Sequence, residues 1–469
     1  MMATPVSPLV DAAWLEGLAR LELANRSLQG FDLAGLSERL VAAKGDADAI
    51  WAVYQDALAA AIPAEYPFAE PNGLEEIRAL RPSGPRVMDY DLSDLQLEDK
   101  VHGALLGRII GVILGRPVEG ATEADIRRRL ESTGDYPLAG YFPRYWTENG
   151  ERRENGAASL RSTREGLRMR AAAEADDDIN YVLLNTKLLE KYGPNFSTTD
   201  VGYLWLESFP ANWSWGPERT AYLNLARFTD YGERWRPIDF DTLWKVTHYL
   251  HESSELIGAQ IRADAFGYAA PGLPELAAEW AWRDAALTHV KNGIYGEMLF
   301  AAIIAAAFTA RGIREAVEVG LTEIPERCRL AEAVRNTLAW WDELADWRAV
   351  YERIAEHYNV YTPGGTINNA CIIVNALLAG QGDFERTMTI TVMQGQDTDC
   401  TAATAGSIIG AWLGASSVPE KWSAPLADTF YTAIPGEGPC SISAVAGRAY
   451  ALGRTFGKSR RNLPFKWDM

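Results

Sequence analysis

Residues 394–415 read QGQDTDCTAATAGSIIGAWLGA. Asp397 and Asp399 head an apolar run with no charged residue before Glu420, and within it Gly406, Gly410 and Gly414 recur at every fourth position. Four-residue spacing keeps these glycines on one face of a helix. A face without side chains lets a second helix approach closely. The same stripe occurs in residues 102–120, HGALLGRIIGVILGRPVEG, at Gly103, Gly107, Gly111 and Gly115, and this segment ends in Glu119. The two stripes predict two deeply buried helices with acids at or near their ends. The uncharged stretch from Cys400 to Pro419 is long enough to raise the question of a membrane span. It is rich in Ala, Gly, Ser and Thr and follows two acids, so it reads as a buried helix of a soluble protein.

The whole chain agrees with that reading. It has 469 residues, 45 Lys and Arg against 63 Asp and Glu for a net charge of −18, and 48% hydrophobic residues. Such acidity argues against a broad nucleic-acid or membrane-binding face, because phosphate contacts need clustered cations. Four scattered cysteines and no CxxC make neither a disulfide framework nor a structural zinc site, and the N-terminus lacks the basic start of a signal peptide, so a cytoplasmic location is expected. Helical periodicity dominates and strand alternation is scarce, which predicts an all-α protein. Residues 1–95 read as an N-terminal helical extension closing in a Pro-rich linker, 62–85, and residues 96–469 as the main domain. Helices are expected over Asp178–Leu206, Ala277–Val290, Tyr295–Arg311 and Glu326–Tyr358. Gly140–Arg164 and Tyr361–Asn369 read as polar loops, and Phe209–Trp215 and Tyr231–Asp239 as irregular Trp-rich passages. Within these, Trp146, Trp213 or Trp215 could stack on a base.

A second acidic cluster, Asp176, Asp177 and Asp178, leads into the apolar INYVLLNTKLL. Either cluster alone is explained by helix capping. The striped helices change the balance, because packed carboxylates repel one another and resist desolvation unless a cation holds them. Several acids with no histidine among them suit a hard, oxygen-seeking ion, Mg²⁺ or Mn²⁺, better than Zn²⁺. Five or six ligands in two groups could hold two ions.

Four segments together resemble the ADP-ribosylglycohydrolase family: HGALLGRIIGVILGRPVEG, EADDDINYVLL (174–184), DAALTHVKNGIYGEM (284–298) and QGQDTDCTAATAGSIIGAWLGA. The resemblance covers about residues 97–455. It implies an orthogonal multi-helix bundle with a binuclear magnesium site, and hydrolysis of an ADP-ribosyl glycoside on a protein or of a small ribosyl glycoside. Carried over by motif, the metal ligands are Asp176, Asp177, Asp178, Asp397, Asp399 and Cys400, with Cys400 standing where many members have Ser or Thr. Asp176 replaces a Thr, and Val112 stands where relatives often carry an acid. The resemblance makes Glu119 the candidate for water positioning or acid–base work, and places His289, Asn292, Gly293 and Tyr295 near substrate. An N-glycosidase for a small nucleoside-like metabolite and a non-catalytic, crystallin-like relative are the competing readings.

Overall fold

The computed structural model describes residues 11–143, 145–154, 175–229 and 237–459. Residues 155–164 of the expected polar loop, and Tyr231–Arg236 of the second Trp-rich passage, lie outside them. The described chain is all-α apart from two small antiparallel sheets, Tyr145–Glu148 with Glu151–Glu154 and Thr429–Phe430 with Cys440–Ser441.

Three helices, Ala12–Leu28, Leu36–Ala42 and Ala47–Ala59, open the chain. Asp11 and Asp46 cap two of them by accepting backbone N–H groups of the first turn. Leu15, Leu18, Leu23, Leu40, Ile50, Val53 and Tyr54 give this unit a small core separate from that of the main body. The Pro-rich crossing that follows contains a short helix, Leu74–Leu80, where the sequence suggested only a linker. Its buried Ile77 joins the main core, and its arginine Arg78 reaches Glu279 of the body.

The main body starts at a capping box, in which the Ser93 hydroxyl accepts from Gln96 N and the Gln96 side chain accepts from Ser93 N. This fixes the start of helix Asp94–Gly115, which runs against helix Thr398–Leu413 along its whole length. The glycines decide how close they come. A Cβ placed on Gly103 would lie 2.7 Å from the Gly410 carbonyl oxygen, one on Gly107 2.1 Å from that of Gly406, one on Gly111 2.2 Å from that of Ala402, and one on Gly115 2.1 Å from that of Thr398. The rising numbers on one helix meet falling numbers on the other, so the pair is antiparallel. Asp94–Val118 has the length and apolarity of a spanning helix, yet 89% of its most apolar window is buried inside the protein.

Other expected helices are present with shifted ends. The acidic cluster begins helix Asp177–Tyr192, followed by Thr198–Ser208. Helices Pro274–Ala285 and Asn292–Ala307 are separated by a turn at 286–291, where the sequence reading had run the first on to Val290. The expected Glu326–Tyr358 is two helices, Arg329–Leu344 and Trp347–Tyr358, broken where Ala345 turns left-handed (φ 48°) and Asp346 caps the second. Part of the supposed polar loop at 140–164 is the hairpin at 145–154, turned by Asn149 and Gly150, both with positive φ.

Two Gly→Ala substitutions test the packing with opposite signs. Gly107→Ala forces a methyl into the facing backbone and should cost about 1–3 kcal/mol, the usual scale of overpacking. Gly17→Ala, on an exposed helix face with nothing within 4 Å of the new Cβ, should stabilise by up to about 1 kcal/mol. Urea unfolding of both variants reads the difference, and equal effects would contradict the close approach.

Candidate functional site

Antiparallel packing of the striped helices carries the C-terminal end of one to the N-terminal end of the other. Helix Asp94–Gly115 passes through a single 3₁₀ turn, Arg116–Val118, and delivers Glu119. Helix Thr398–Leu413 begins with Asp397 at its N-cap and Asp399 in its first turn. Thr398 ties the two by donating its hydroxyl to the Gly115 carbonyl at 2.8 Å. Gly120 N donates to the Gln396 carbonyl at 2.8 Å and Gln396 N to that of Ala121 at 3.0 Å, so the two turns are stitched into a short ladder.

Helix Asp177–Tyr192 supplies the second group of acids. Asp176 is its N-cap and accepts from Asp178 N at 3.0 Å. Ligand atoms of Asp176, Asp177 and Asp178 lie within 4.8 Å of one another, as do those of Asp397, Asp399 and Cys400. The groups meet where the Cys400 thiol donates to Asp178 Oδ2 at 3.2 Å. Glu119 joins from the more solvent-exposed side, close enough to Asp397, Asp176 and Asp399 to interact with their charges. All six sequence-derived metal candidates and Glu119 therefore converge on one place.

Two arginines hold this acid centre, and neither was among the residues singled out from the sequence. Arg116 lies 3.2 Å from Asp176 Oδ2. Arg108, wholly buried, spans from Asp178 Oδ1 at 2.9 Å to Asp264 Oδ2 at 2.7 Å and donates to the Asp178 and Ile261 carbonyls, each at 2.6 Å. A charged residue inside an otherwise apolar glycine helix was the available signal. Asp264 is completed by the Tyr268 hydroxyl at 3.0 Å.

The electrostatics follow from crowding. Burial, then Asp397 and Asp176, push the Glu119 carboxyl up. Asp399 rises well above the ordinary range through burial and then Asp397, Glu119 and Asp178. Asp177 is raised by burial and by its neighbours Asp176, Asp178 and Glu218. Burial also raises Asp178, and Arg108 offsets only part of that. Asp397 Oδ1 is buried with no hydrogen-bond partner. Six carboxylates thus face Arg116 and an Arg108 already shared with Asp264, and this excess of negative charge with an orphaned oxygen fits divalent cations. The expected Tyr361–Asn369 loop is a loop only over 361–365, since helix Thr366–Gly380 takes its last four residues, and both border the same point. A Cβ on Gly364 would lie 3.5 Å from Asp397 Oδ2, and Asp397 N donates to Asn369 Oδ1 at 3.4 Å.

The four residues expected near substrate are placed differently. Asn292 spends its amide on Glu70 Oε1 (2.8 Å) and Glu255 Oε1 (2.9 Å), and its oxygen on Leu330 N (3.0 Å). Tyr295 donates to the Pro71 carbonyl. Gly293 is glycine because a Cβ would lie 2.7 Å from both the His289 ring and the Ser254 carbonyl oxygen. Asn292 and Tyr295 therefore anchor the N-terminal crossing rather than open onto the acids. His289 sits in a second buried ionic cluster, 3.8 Å from Glu218, where Arg262 pairs with Glu218 and Asp284, each at 2.5 Å. Burial and Arg262 keep its imidazole neutral by pushing it well down. Glu218 links it to the acid centre, since it also acts on Asp177. Of the candidate stacking residues, Trp146 is buried beneath Arg128 and Arg129. Trp215 is 50% exposed, edge-on to Trp213.

If the acids hold divalent ions, Asp399→Asn should do two things. It should raise the melting temperature in EDTA by relieving repulsion, and it should abolish the increment that Mg²⁺ gives the wild type, about 2.7 kcal/mol at a hundredfold excess over Kd. A wild-type melting temperature indifferent to Mg²⁺ and Mn²⁺ would refute the fit.

The ADP-ribosylglycohydrolase family model matches residues 93–455. A solved structure described as an ADP-ribosylglycohydrolase-related protein complex aligns at 20% identity over 77% of this chain and 99% of its own, with a TM-score of 0.45. No curated protein matches. With the family model spanning most of its length, from the Ser93 capping box through both striped helices, the chain belongs to the ADP-ribosylglycohydrolase family.

Proposed function

We propose that the protein hydrolyses the C1″ glycosidic bond of an ADP-ribosyl or related ribosyl substrate, with Glu119 positioning or deprotonating the attacking water. The observation that carries this reading is the convergence of Glu119 with Asp176, Asp177, Asp178, Asp397, Asp399 and Cys400 at one partly open point. Those six residues would hold two divalent cations, Mg²⁺ or Mn²⁺, which when bound supply a polarised water and anchor vicinal ribose hydroxyls. The chain's own part is electrostatic and geometric. Positive charge develops on the ribose ring as the bond breaks, and fixed carboxylates around it stabilise that charge without reorganising. Glu119 suits proton transfer because it stands at the open edge of the acid centre, with burial and neighbouring acids raising its carboxyl above the ordinary range in the ion-free protein. Arg108 and Arg116 keep Asp178 and Asp176 in place.

The catalytic unit in this reading is residues 96–469, with 1–95 as an extension. Cys328, Cys371, Cys400 and Cys440 are all buried and unpaired, which supports a reducing, cytoplasmic setting.

Glu119→Gln should keep divalent and ADP-ribose binding while turnover falls by about two to four orders of magnitude, the scale of a lost acid–base group. ADP-ribosyl-arginine, ADP-ribosyl-serine, α-NAD and a nucleoside panel, each assayed with Mg²⁺ for free sugar, separate protein-linked from small-metabolite substrates. Silence of the wild type on all of them would favour a non-catalytic relative.

A further inference from the structure

A second site lies away from the acids, between residues 22–72 and residues 248–291. It is a cavity of about 90 Å³ lined on one side by Glu22, Arg26, Phe31 and Asn72 and on the other by Glu252 and Lys291, among others. That is the liquid volume of about three water molecules. Lys291 is only 7% exposed, and its ammonium nitrogen has no hydrogen-bond partner. Its backbone stands at φ 47° and ψ −121°, a conformation that side chains avoid. Such strain, of order 1–3 kcal/mol, persists where the surroundings over-determine it. Here Asn72 of the extension accepts from Lys291 N at 2.8 Å.

The charges of the lining are unequally spent. Glu22 is taken by Arg26 at 2.5 Å, and Glu252 accepts from the Ser253 hydroxyl at 3.2 Å. Arg26 and Lys291 both lie over the Phe31 ring, at 4.5 and 4.4 Å from its centroid. Phe31 therefore gathers two cations at one wall of a cavity too small for a nucleotide. We propose that this cavity binds a small free oxyanion of the size of inorganic phosphate, received by the Lys291 ammonium with Arg26 beside it and bridging the extension to the body. Burial pushes the Lys291 amine down to about 8 against the pull of Glu255 and Glu70, so at neutral pH it stays charged without a hydrogen-bond partner, and an anion in the cavity would supply one. The assignment is independent of the glycohydrolase reading, because none of its residues belongs to the acid centre.

The test uses the full chain in chloride buffer without divalent ions, with inorganic phosphate as probe and sodium chloride as the ionic-strength control. Acetylation of lysines at pH 8, mapped by peptide mass spectrometry, should be slowed at least tenfold at Lys291 by saturating phosphate, while the exposed Lys44 is unaffected. Phosphate should also raise the melting temperature of the wild type in a saturable way and leave Lys291→Met unmoved. An unchanged Lys291 labelling rate, equal protection by chloride, or the same phosphate increment in Lys291→Met would overturn the proposal. So would protection by ribose 5-phosphate with inorganic phosphate inert. The labelling arm needs no variant, so poor folding of Lys291→Met does not blunt it.

Discussion

The backbone contact between two glycine-striped helices is the constraint from which the candidate site follows. Gly103, Gly107, Gly111 and Gly115 face Gly410, Gly406, Ala402 and Thr398 in four successive layers, each with carbonyl oxygen where a Cβ would stand. Helices this close cannot slide by one residue without driving a side chain into backbone, so the register is fixed sterically. The register in turn decides that Glu119 arrives beside Asp397 and Asp399. No salt bridge or hydrogen bond among the acids could do this, since like charges alone would drive the two ends apart.

Helix Asp177–Tyr192 is brought to the same place by buried charge. Arg108 emerges from the first striped helix and takes both the side chain and the carbonyl of Asp178, together with Asp264. A wholly buried guanidinium is costly to desolvate, and such an ion pair is poor evidence of net stability; what it adds is specificity, because removing one partner leaves an uncompensated charge worth about 3–5 kcal/mol. Arg262 repeats the device one layer away, with Glu218, Asp284 and, at 3.5 Å, Glu297. The two arginine-centred clusters set five helices, those at 94–115, 177–192, 216–228, 274–285 and 292–307, and the 260–264 turn against one another, while the acids on the solvent side keep an excess of negative charge.

Much of this was legible in the sequence because it depends on spacing. Glycines four apart and acids at the heads of apolar runs are local patterns, and together they narrow what either would mean alone. What escaped depends on partners distant in the chain. Asn292 and Tyr295 lie in a motif that resembles a substrate-contacting one, and nothing local says that their polar groups are claimed by Glu70 and Pro71, more than two hundred positions earlier. The roles of Arg108 and Arg262 likewise need the fold, although a lone arginine among glycines and apolar residues was a visible anomaly. The hairpin at 145–154 was the missed local signal, since Asn149-Gly150 is a strong two-residue turn pair.

The extension is fastened to the body through interior groups. Arg329 is 6% exposed and meets Glu70 Oε2 at 2.8 Å and Glu255 Oε1 at 2.7 Å. Arg81 and Arg86 of the same crossing converge on the buried Glu323 at 2.6 and 2.9 Å. These partners of the crossing, at 70, 81 and 86, precede the family-matched region that starts at 93, while Arg329 and Glu323 lie within it. A chain cut at that boundary would lack both arginines that meet Glu323 and one of the two carboxylates that meet Arg329. Glu255 carries the connection onward, since its carbonyl accepts from Thr366 N at 3.3 Å and from the Thr366 hydroxyl at 2.9 Å, at the end of the loop whose Gly364 lies against Asp397. Residues 70–86 are thus tied by buried charge to Arg329 and Glu323, and through Arg329, Glu255 and Thr366 they connect to the 361–365 loop that borders Asp397.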